Sequence, residues 1–399
     1  MINQAAKYYL NSYKGLTRDI WLLSFVNLIN RCGTMVIPFL MLYLTSQLGC
    51  SISQAGIVIS LWGVGAFIGG YFGGRLTDTI GFQKVQLTAL FFGGVGFIVL
   101  GYLRSYLTIC GFTFILALVN ESFRPANSAA IGKYSTEENR MRSFTLMRLS
   151  FNLGWALGAG IGGFIAHHSY SLLFWVDGVT NILAAILLWQ LLPAENTNTA
   201  SPHKTNEKPK QANTIWRDKL FVQFVFISIL YLSCFVQLFT NLPVYFKEQL
   251  HLEETDIGYL GAWNGIMIVL FEMTVIFWIE RNWSAKKAVT IGVAMHALAY
   301  LLACFSLNFL GAFTMMTFIT LSEMLAFSVL VNFWMRRTND TNRGQYAAIW
   351  TMTWAFSQTV GPFLGAVVVQ NSNFITLWVI VALLSLTATG LYYKVIENK

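Results

Sequence analysis

The sequence predicts an all-α integral membrane protein of twelve transmembrane helices, built as two pseudo-symmetric six-helix bundles. Three observations predict this fold. Of 399 residues, 55% are hydrophobic and only 11% charged, well below the roughly one-quarter charged that is usual in soluble domains. Hydropathy divides the chain into twelve apolar runs, each near the roughly 20 residues that a hydrocarbon core about 30 Å thick demands. The last six runs also repeat landmarks of the first six at a near-constant offset.

In chain order, the first 20 residues carry Lys7, Lys14 and Arg18. They are too polar for the apolar core of a cleavable signal peptide and are expected to form a cytoplasmic tail. The expected spans are 20–44, 54–76, 84–104, 107–131, 143–166 and 171–193, then 219–246, 256–279, 286–306, 309–334, 345–370 and 372–395. Residues 194–217 are rich in Asn, Lys, Pro and Thr and have no apolar period, which marks a linker. The expected organisation is an N-terminal bundle over 1–193, a cytoplasmic linker over 194–217 and a C-terminal bundle over 218–399.

The basic residues set the orientation. Arg75, Lys84, Lys133, Arg140, Arg281, Lys286, Arg336 and Arg343 fall on one side with both termini and the linker, whereas the other side has only Arg104 and Lys247. The positive-inside rule places both termini in the cytoplasm of a multi-pass protein of the cell (inner) membrane. Because the excess of +8 is spread over short loops, nucleic acid is not an expected partner. The expected partners are the lipid bilayer, a small-molecule substrate and protons, for a chain that works as a monomer. The five cysteines share no CxxC spacing, and His167, His168 and His296 have no metal-ligand spacing. With no Walker loop, nucleophile elbow or HExxH, no metal, cofactor or enzymatic activity is expected.

The repeat has an offset near 203. Asn139-Arg140 recurs as Asn342-Arg343, Gly158 as Gly361 and Gly162 as Gly365, while Glu121 is echoed by Glu323 and Asp78 by Glu280-Arg281 within a residue or so. Two parallel six-span repeats related by an axis along the membrane normal are an architecture of secondary transporters.

The loop between the second and third spans reads Gly73-Gly74-Arg75-Leu76-Thr77-Asp78-Thr79-Ile80-Gly81-Phe82-Gln83-Lys84. It resembles the G-x-x-x-D-R-x-G-R-K signature of the major facilitator superfamily. Gly74, Asp78 and Gly81 match in register; Thr79, Phe82 and Gln83 replace basic residues, and Lys84 falls one place late. The glycines suit close helix approach and a tight turn. Asp78 is expected to pair with a neighbouring base in one state only, forming a gating loop with Gly74, Gly81, Lys84, Glu280 and Arg281.

Gly154-Trp155-Ala156-Leu157-Gly158-Ala159-Gly160-Ile161-Gly162-Gly163 in the fifth span looks like the glycine-rich antiporter motif of this superfamily's drug exporters, with Ala159 at the proline position. The eleventh span carries the fuller Gly361-Pro362-Phe363-Leu364-Gly365. Dense helix packing gives the same spacing. A second resemblance, to the proton-coupled oligopeptide transporters, rests on Phe123-Arg124-Pro125-Ala126-Asn127 and on Arg148 to Gly154, with Ser322-Glu323 in the tenth span. Their first-span E-x-x-E-R is Asn27-Leu28-Ile29-Asn30-Arg31 here. Both carboxylates have become amides, so any proton coupling must rest on other acids.

Glu121 and Arg124 lie three apart near the middle of the fourth span and share a helix face. A charge at a helix centre costs about 2.5–3.5 kcal/mol on insertion scales, so such a face is expected to look into a protein interior or a wet cavity. The expected proton-coupling acids are Glu121, Glu323, Glu272 and Asp177. Glu121 is expected to exchange between Arg124 and bases such as Arg31 or Arg148. Glu272 and Glu323 have no base within a helical turn and are expected to be protonated at rest. For Glu272 and Asp177 a helix-packing hydrogen bond is the competing reading. The expected substrate-binding set is Asn27, Asn30, Arg31, Arg124, Asn127, Arg148, Asn152, Trp155, Glu323, Trp350 and Trp354. Trp62 and Trp263 are further aromatic candidates, although most Trp in membrane proteins anchor or pack.

The resemblances imply proton-coupled export of amphiphilic organic compounds by alternating access. Proton-coupled import of a peptide-like, zwitterionic or siderophore-like solute is the alternative, since Arg31, Arg124 and Glu323 can clamp opposite charges. A non-transporting receptor on the same scaffold is the remaining class.

Overall fold

The computed structural model describes residues 15–136, 139–193, 217–305, 308–338 and 343–396, without the side chains at 141, 277, 280 and 343–345. Among these, twelve helices are long and apolar enough to cross a membrane: Arg18–Ser46, Ile52–Ile80, Phe82–Tyr102, Tyr106–Tyr134, Arg142–His168, Tyr170–Leu191, Lys219–Phe239, Glu254–Ile276, Ala285–Ala303, Phe309–Met335, Tyr346–Asn371 and Phe374–Val395. The expected spans coincide with these to within a few residues, except that the seventh ends earlier. The linker, apart from Arg217, and the Glu280 side chain lie outside the described residues.

Three spans are broken, each a few residues before a proline. The first runs Arg18–Cys32, turns through Gly33 and Thr34, and resumes at Val36–Ser46, which contains Pro38. The fourth stops at Glu121 and restarts at Phe123 ahead of Pro125. The seventh passes from α-helix at Phe235 into a 3₁₀ turn over Val236–Phe239, then into Asn241–Glu248 with Pro243. Proline has no N–H for the carbonyl four residues back and its ring crowds that carbonyl, so the chain yields just upstream. Pro362 is carried inside the continuous helix Arg343–Asn371.

The glycine motifs seat the broken spans. A Cβ on Gly154 would lie 2.5 Å from Arg31 Cβ, one on Gly158 3.1 Å from the Arg31 and Cys32 carbonyls, and one on Gly162 3.2 Å from Met35 Cβ. In the second bundle a Cβ on Gly361 would meet Val236 at 2.4 Å and one on Gly365 would meet Gln237 at 2.5 Å. The same offset therefore relates both the sequence repeat and the contact that it makes.

Between the bundles, the fifth span packs on the eighth and the second on the eleventh. One face of the membrane domain carries Arg75, Lys84, Lys133, Arg140, Arg281, Lys286 and Arg336; it is called the basic face below. Close glycine approaches between the bundles lie on the other half of each helix. Gly56 meets Ala366, Gly63 meets Thr359, Gly163 meets Gly258 and Gly265 meets Ala156. Toward the basic face, Gly69 and Gly73 instead abut Leu118 and Ser122 of their own bundle. The close glycine contacts thus seal the bundles toward the opposite face, whereas on the basic-face half the mid-helix side chains of Arg124 and Arg148 are exposed.

Candidate functional site

At the opening between the bundles, Arg148 of the fifth span pairs with Glu272 of the eighth. The Arg148 side chain is 50% exposed and Glu272 only 9%, so the pair spans the boundary between protein interior and open crevice. Two turns along the eighth span, Asn264 donates to Thr320 Oγ1 at 3.0 Å and to Glu323 Oε2 at 3.3 Å in the tenth. Trp263 donates its indole N–H to Thr317 at 3.0 Å. Glu323 is half-buried and within electrostatic reach of Glu272 and Arg148. These groups form one cluster near the middle of their spans, contributed by both bundles.

A second cluster lies in the first bundle. Arg124 Nε meets Glu121 Oε2 at 2.5 Å, with side chains 55% and 10% exposed. The helix breaks between them at Ser122, so the pair closes over a proline-made gap. Arg31 is in the field of Glu121, Arg124 and Asp177. Its guanidinium lies 4.8 Å from the Phe151 ring centroid, and its buried Nε has no hydrogen-bond partner. Of the bases expected to compete for Glu121, Arg124 is paired with it in this conformation, while Arg148 pairs with Glu272. The expectation for Glu272 counted only bases within a turn of its own helix; its partner, Arg148, comes from another.

Asp177 serves the break in the first span. Its Oδ2 accepts from the Val36 N–H at 3.0 Å and the Met35 N–H at 3.3 Å, capping the second half-helix. Asn181 donates to Asp177 Oδ1 at 3.0 Å and accepts from Asn30 at 2.8 Å, so Asn30 is tied to the same junction. Asn27 is buried beside it on the first span.

The other expected residues are dispersed. Asn127 accepts from Gln86 at 3.1 Å within the first bundle. Asn152 is partly buried, one turn beyond Arg148. Trp155 meets Phe239 edge-on at 5.3 Å and, with Asn264, lines a void of about 40 Å³ between the bundles. Trp350 is buried against Phe224, and Trp354 stacks on Phe327 at 5.5 Å, both inside the second bundle. In the gating loop, Gly81 is the single residue between two helices, with φ +92°, where a side chain would be strained. A Cβ on Gly74 would lie 3.9 Å from Pro125 Cβ. Asp78, Lys84 and Arg281 are exposed, and no ion pair to Asp78 occurs among the described residues.

Two groups of residues were not anticipated. Asn264 holds Glu323 and is itself held by Thr320, although their spacings (eight residues from Glu272, three from Glu323) put them on the same helix faces. At the opposite face, Glu254 accepts from Tyr170 Oη at 2.9 Å and Lys247 Nζ at 2.9 Å, with His167 at 3.9 Å. This clasp joins the fifth and sixth spans to the seventh and eighth where the crevice is sealed. Chemically, the arrangement offers carboxylates that change partners if the bundles separate on one face and close on the other.

A family model described as Major Facilitator Superfamily matches residues 23–271 and 238–399. The chain is 24% identical over 371 residues to a Na(+), Li(+), K(+)/H(+) antiporter of Planococcus maritimus, covering 84% of this chain and 85% of that one. It is 26% identical over 242 residues to quinolone resistance protein NorA of Staphylococcus aureus, covering 60% and 61%. It is 23% identical over 271 residues to multidrug resistance protein MdtH of Salmonella typhi, covering 67% and 65%. Among solved structures, a POT family transporter in complex with 5-aminolevulinic acid superposes with TM-score 0.80 at 14% identity, covering 96% and 98%. The nucleoside transporter NupG superposes with TM-score 0.78 at 13% identity, covering 96% and 100%.

Proposed function

The chain belongs to the major facilitator superfamily, and on that premise we propose that it is a proton-coupled antiporter that exports amphiphilic organic compounds. Its two bundles rock about a mid-membrane site, so that binding of proton and substrate biases the same two states. The observation that carries this reading is the cluster Arg148–Glu272–Asn264–Glu323, which both bundles build near the middle of their spans, with the Arg148 side chain half exposed. A carboxylate in that position gains or loses its basic partner as the bundles move, and with it the tendency to hold a proton. The antiport and drug-resistance names of the relatives are consistent with extrusion.

The excess of Lys and Arg makes the basic face cytoplasmic, in a cell-membrane protein with both termini inside. The conformation described is then open to the cytoplasm, the state that would load an exported compound. Asp78, with no ion pair among the described residues, suits a latch that closes in the other state. Import of a zwitterionic solute is the second reading, favoured by Arg31, whose buried Nε has no hydrogen-bond partner, lying in the bundle opposite to that of Glu323.

Proteoliposomes with an imposed pH gradient test the proposal, with ethidium as an amphiphilic probe and a dipeptide as a zwitterionic one. The proposal expects ethidium movement against proton movement, lost in Glu121→Gln and Glu323→Gln. Movement of the dipeptide with protons would transfer the assignment to import. Binding of either probe without any proton flux would favour a receptor.

A further inference from the structure

The second bundle contains a file of polar rings that the central site does not use. Tyr231, His296, Tyr300 and Trp378 come from the seventh, ninth and twelfth spans, and all four are fully buried. Their ring centroids follow at 5.3 Å (Tyr231 to His296), 4.9 Å (His296 to Tyr300) and 5.1 Å (Tyr300 to Trp378), and Tyr245 continues at 5.4 Å from Trp378. The file has two distinct ends. Tyr231 Oη shares a hydrogen bond of 3.2 Å with Ser322, the residue before Glu323. Trp378 is four residues into a helix that starts at the opposite face with Phe374, about 6 Å deep at 1.5 Å per residue.

The middle of the file carries the decisive feature. His296 Nδ1 is matched with Ser385 Oγ at 3.0 Å, but His296 Nε2, Tyr300 Oη and Trp378 Nε1 are sealed from bulk solvent and have no protein partner. Buried polar atoms are nearly always satisfied, by protein or by ordered water. Three orphans on three successive rings of one file therefore point to a common set of water partners. A mere packing core here would be served by Phe and Leu.

We propose that His296, Tyr300 and Trp378 hold a file of water through the second bundle that carries protons between the opposite face and Glu323. The inference rests on the proton-coupled reading above and names the route that reading leaves open, since the bundles seal the direct path from the opposite face. A hydronium at that face gives its proton to the first water of the file. Each water, and the Tyr300 hydroxyl, accepts one proton and donates another. His296 takes a proton on one ring nitrogen and releases one from the other. The Glu323 carboxylate ends as a carboxylic acid, and the donor at the surface ends as water. Trp378 has a donor only, so it anchors a water and does not relay. At the inner end the hydrogen-bonded hydroxyls of Tyr231 and Ser322 each accept one proton and donate another, which passes it toward Glu323, the residue after Ser322.

A pH jump outside oriented proteoliposomes, followed by infrared difference spectroscopy, reads the route without any substrate. The carboxylic C=O band lost in Glu323→Gln identifies the acid. In His296→Phe and Tyr300→Phe the band is expected to rise at least tenfold more slowly, to an unchanged final amplitude. Equal rates in well-folded variants would overturn the route while leaving Glu323 as a coupling acid. A wild-type protein with no such band would overturn both the route and the coupling role. Radiolytic hydroxyl labelling of the wild type provides an arm independent of how the variants fold: Tyr300 and Trp378 are expected to be labelled by trapped water. Their protection at the level of Phe221 and Phe224 would overturn the proposal.

Discussion

Arg148 and Glu272 form an ion pair between the fifth and eighth spans at the point where the two bundles begin to part. It is the described ion pair that crosses the interface on the open side, and the clasp of Glu254 with Tyr170 and His167 crosses it on the sealed side. Removing one partner of a buried pair strands the other charge, at about 3–5 kcal/mol when both are dry. Arg148 is half exposed, so the loss in Glu272→Gln should fall well below that range. The variant should fold and should lower the population open to the basic face. Cysteine alkylation at position 144 would report it as slower labelling, and the exchange Arg148→Glu with Glu272→Arg should recover most of the wild-type rate.

Gly163 admits the eighth span to backbone contact. A Cβ there would lie 2.4 Å from the Glu254 carbonyl and 2.6 Å from Gly258 Cα. Gly163→Val should therefore disfavour the sealed opposite face by about 1–3 kcal/mol, the usual cost of overpacking. Labelling of a cysteine at position 257 from the opposite face should accelerate by roughly tenfold or more, given that 1.4 kcal/mol is a factor of ten.

Asp177 caps the second half of the first span through the Met35 and Val36 N–H groups. In Asp177→Ala these donors lose their acceptor, and each buried orphan costs about 1–3 kcal/mol. The melting temperature should fall, and Asp177→Asn, which retains one acceptor oxygen, should restore part of it. Equal melting temperatures for wild type and Asp177→Ala would leave the cap without energetic weight.

Asp218 lies just before the seventh span, where Arg337 donates to both of its oxygens at 2.8 and 2.7 Å and Tyr346 donates at 3.1 Å. Burial pushes this carboxyl up, but the donations from Arg337, the Phe221 N–H and Tyr346 outweigh it and hold it below the usual range. A carboxyl lowered in the folded state stabilises above its unfolded value, near 3.9, and loses that stabilisation as pH falls through the folded value. Arg337→Ala should therefore lower the melting temperature at pH 6, and the deficit should shrink as pH falls through the folded value. A deficit that persisted undiminished in acid would assign the effect to packing.

Much of the architecture was legible because membrane spans are long apolar runs, and run length is an arithmetic property of the sequence. The offset between Gly158 and Gly361 was visible too, and the contact of each with a broken span supplies its cause. The breaks themselves were missed, although Pro38, Pro125 and Pro243 each announce one. Hydropathy does not register a proline, whereas the backbone does. At the site, Glu121 with Arg124 followed from helical spacing, but Arg148 with Glu272 did not, because the partners are 124 residues apart and meet only through bundle packing. Trp350 and Trp354 fell inside the second bundle for a related reason: periodicity identifies a buried face without saying whether it meets a crevice or another helix.

The most direct test of the account is the distance between spin labels across each face, at positions 168 and 253 for the opposite face and 140 and 281 for the basic face. Reciprocal exchange is predicted: where one pair is short the other is long, and Glu323→Gln, which mimics the proton-loaded acid, shifts the ratio of the two states. A single distance on each face, unmoved by Glu323→Gln, would contradict it.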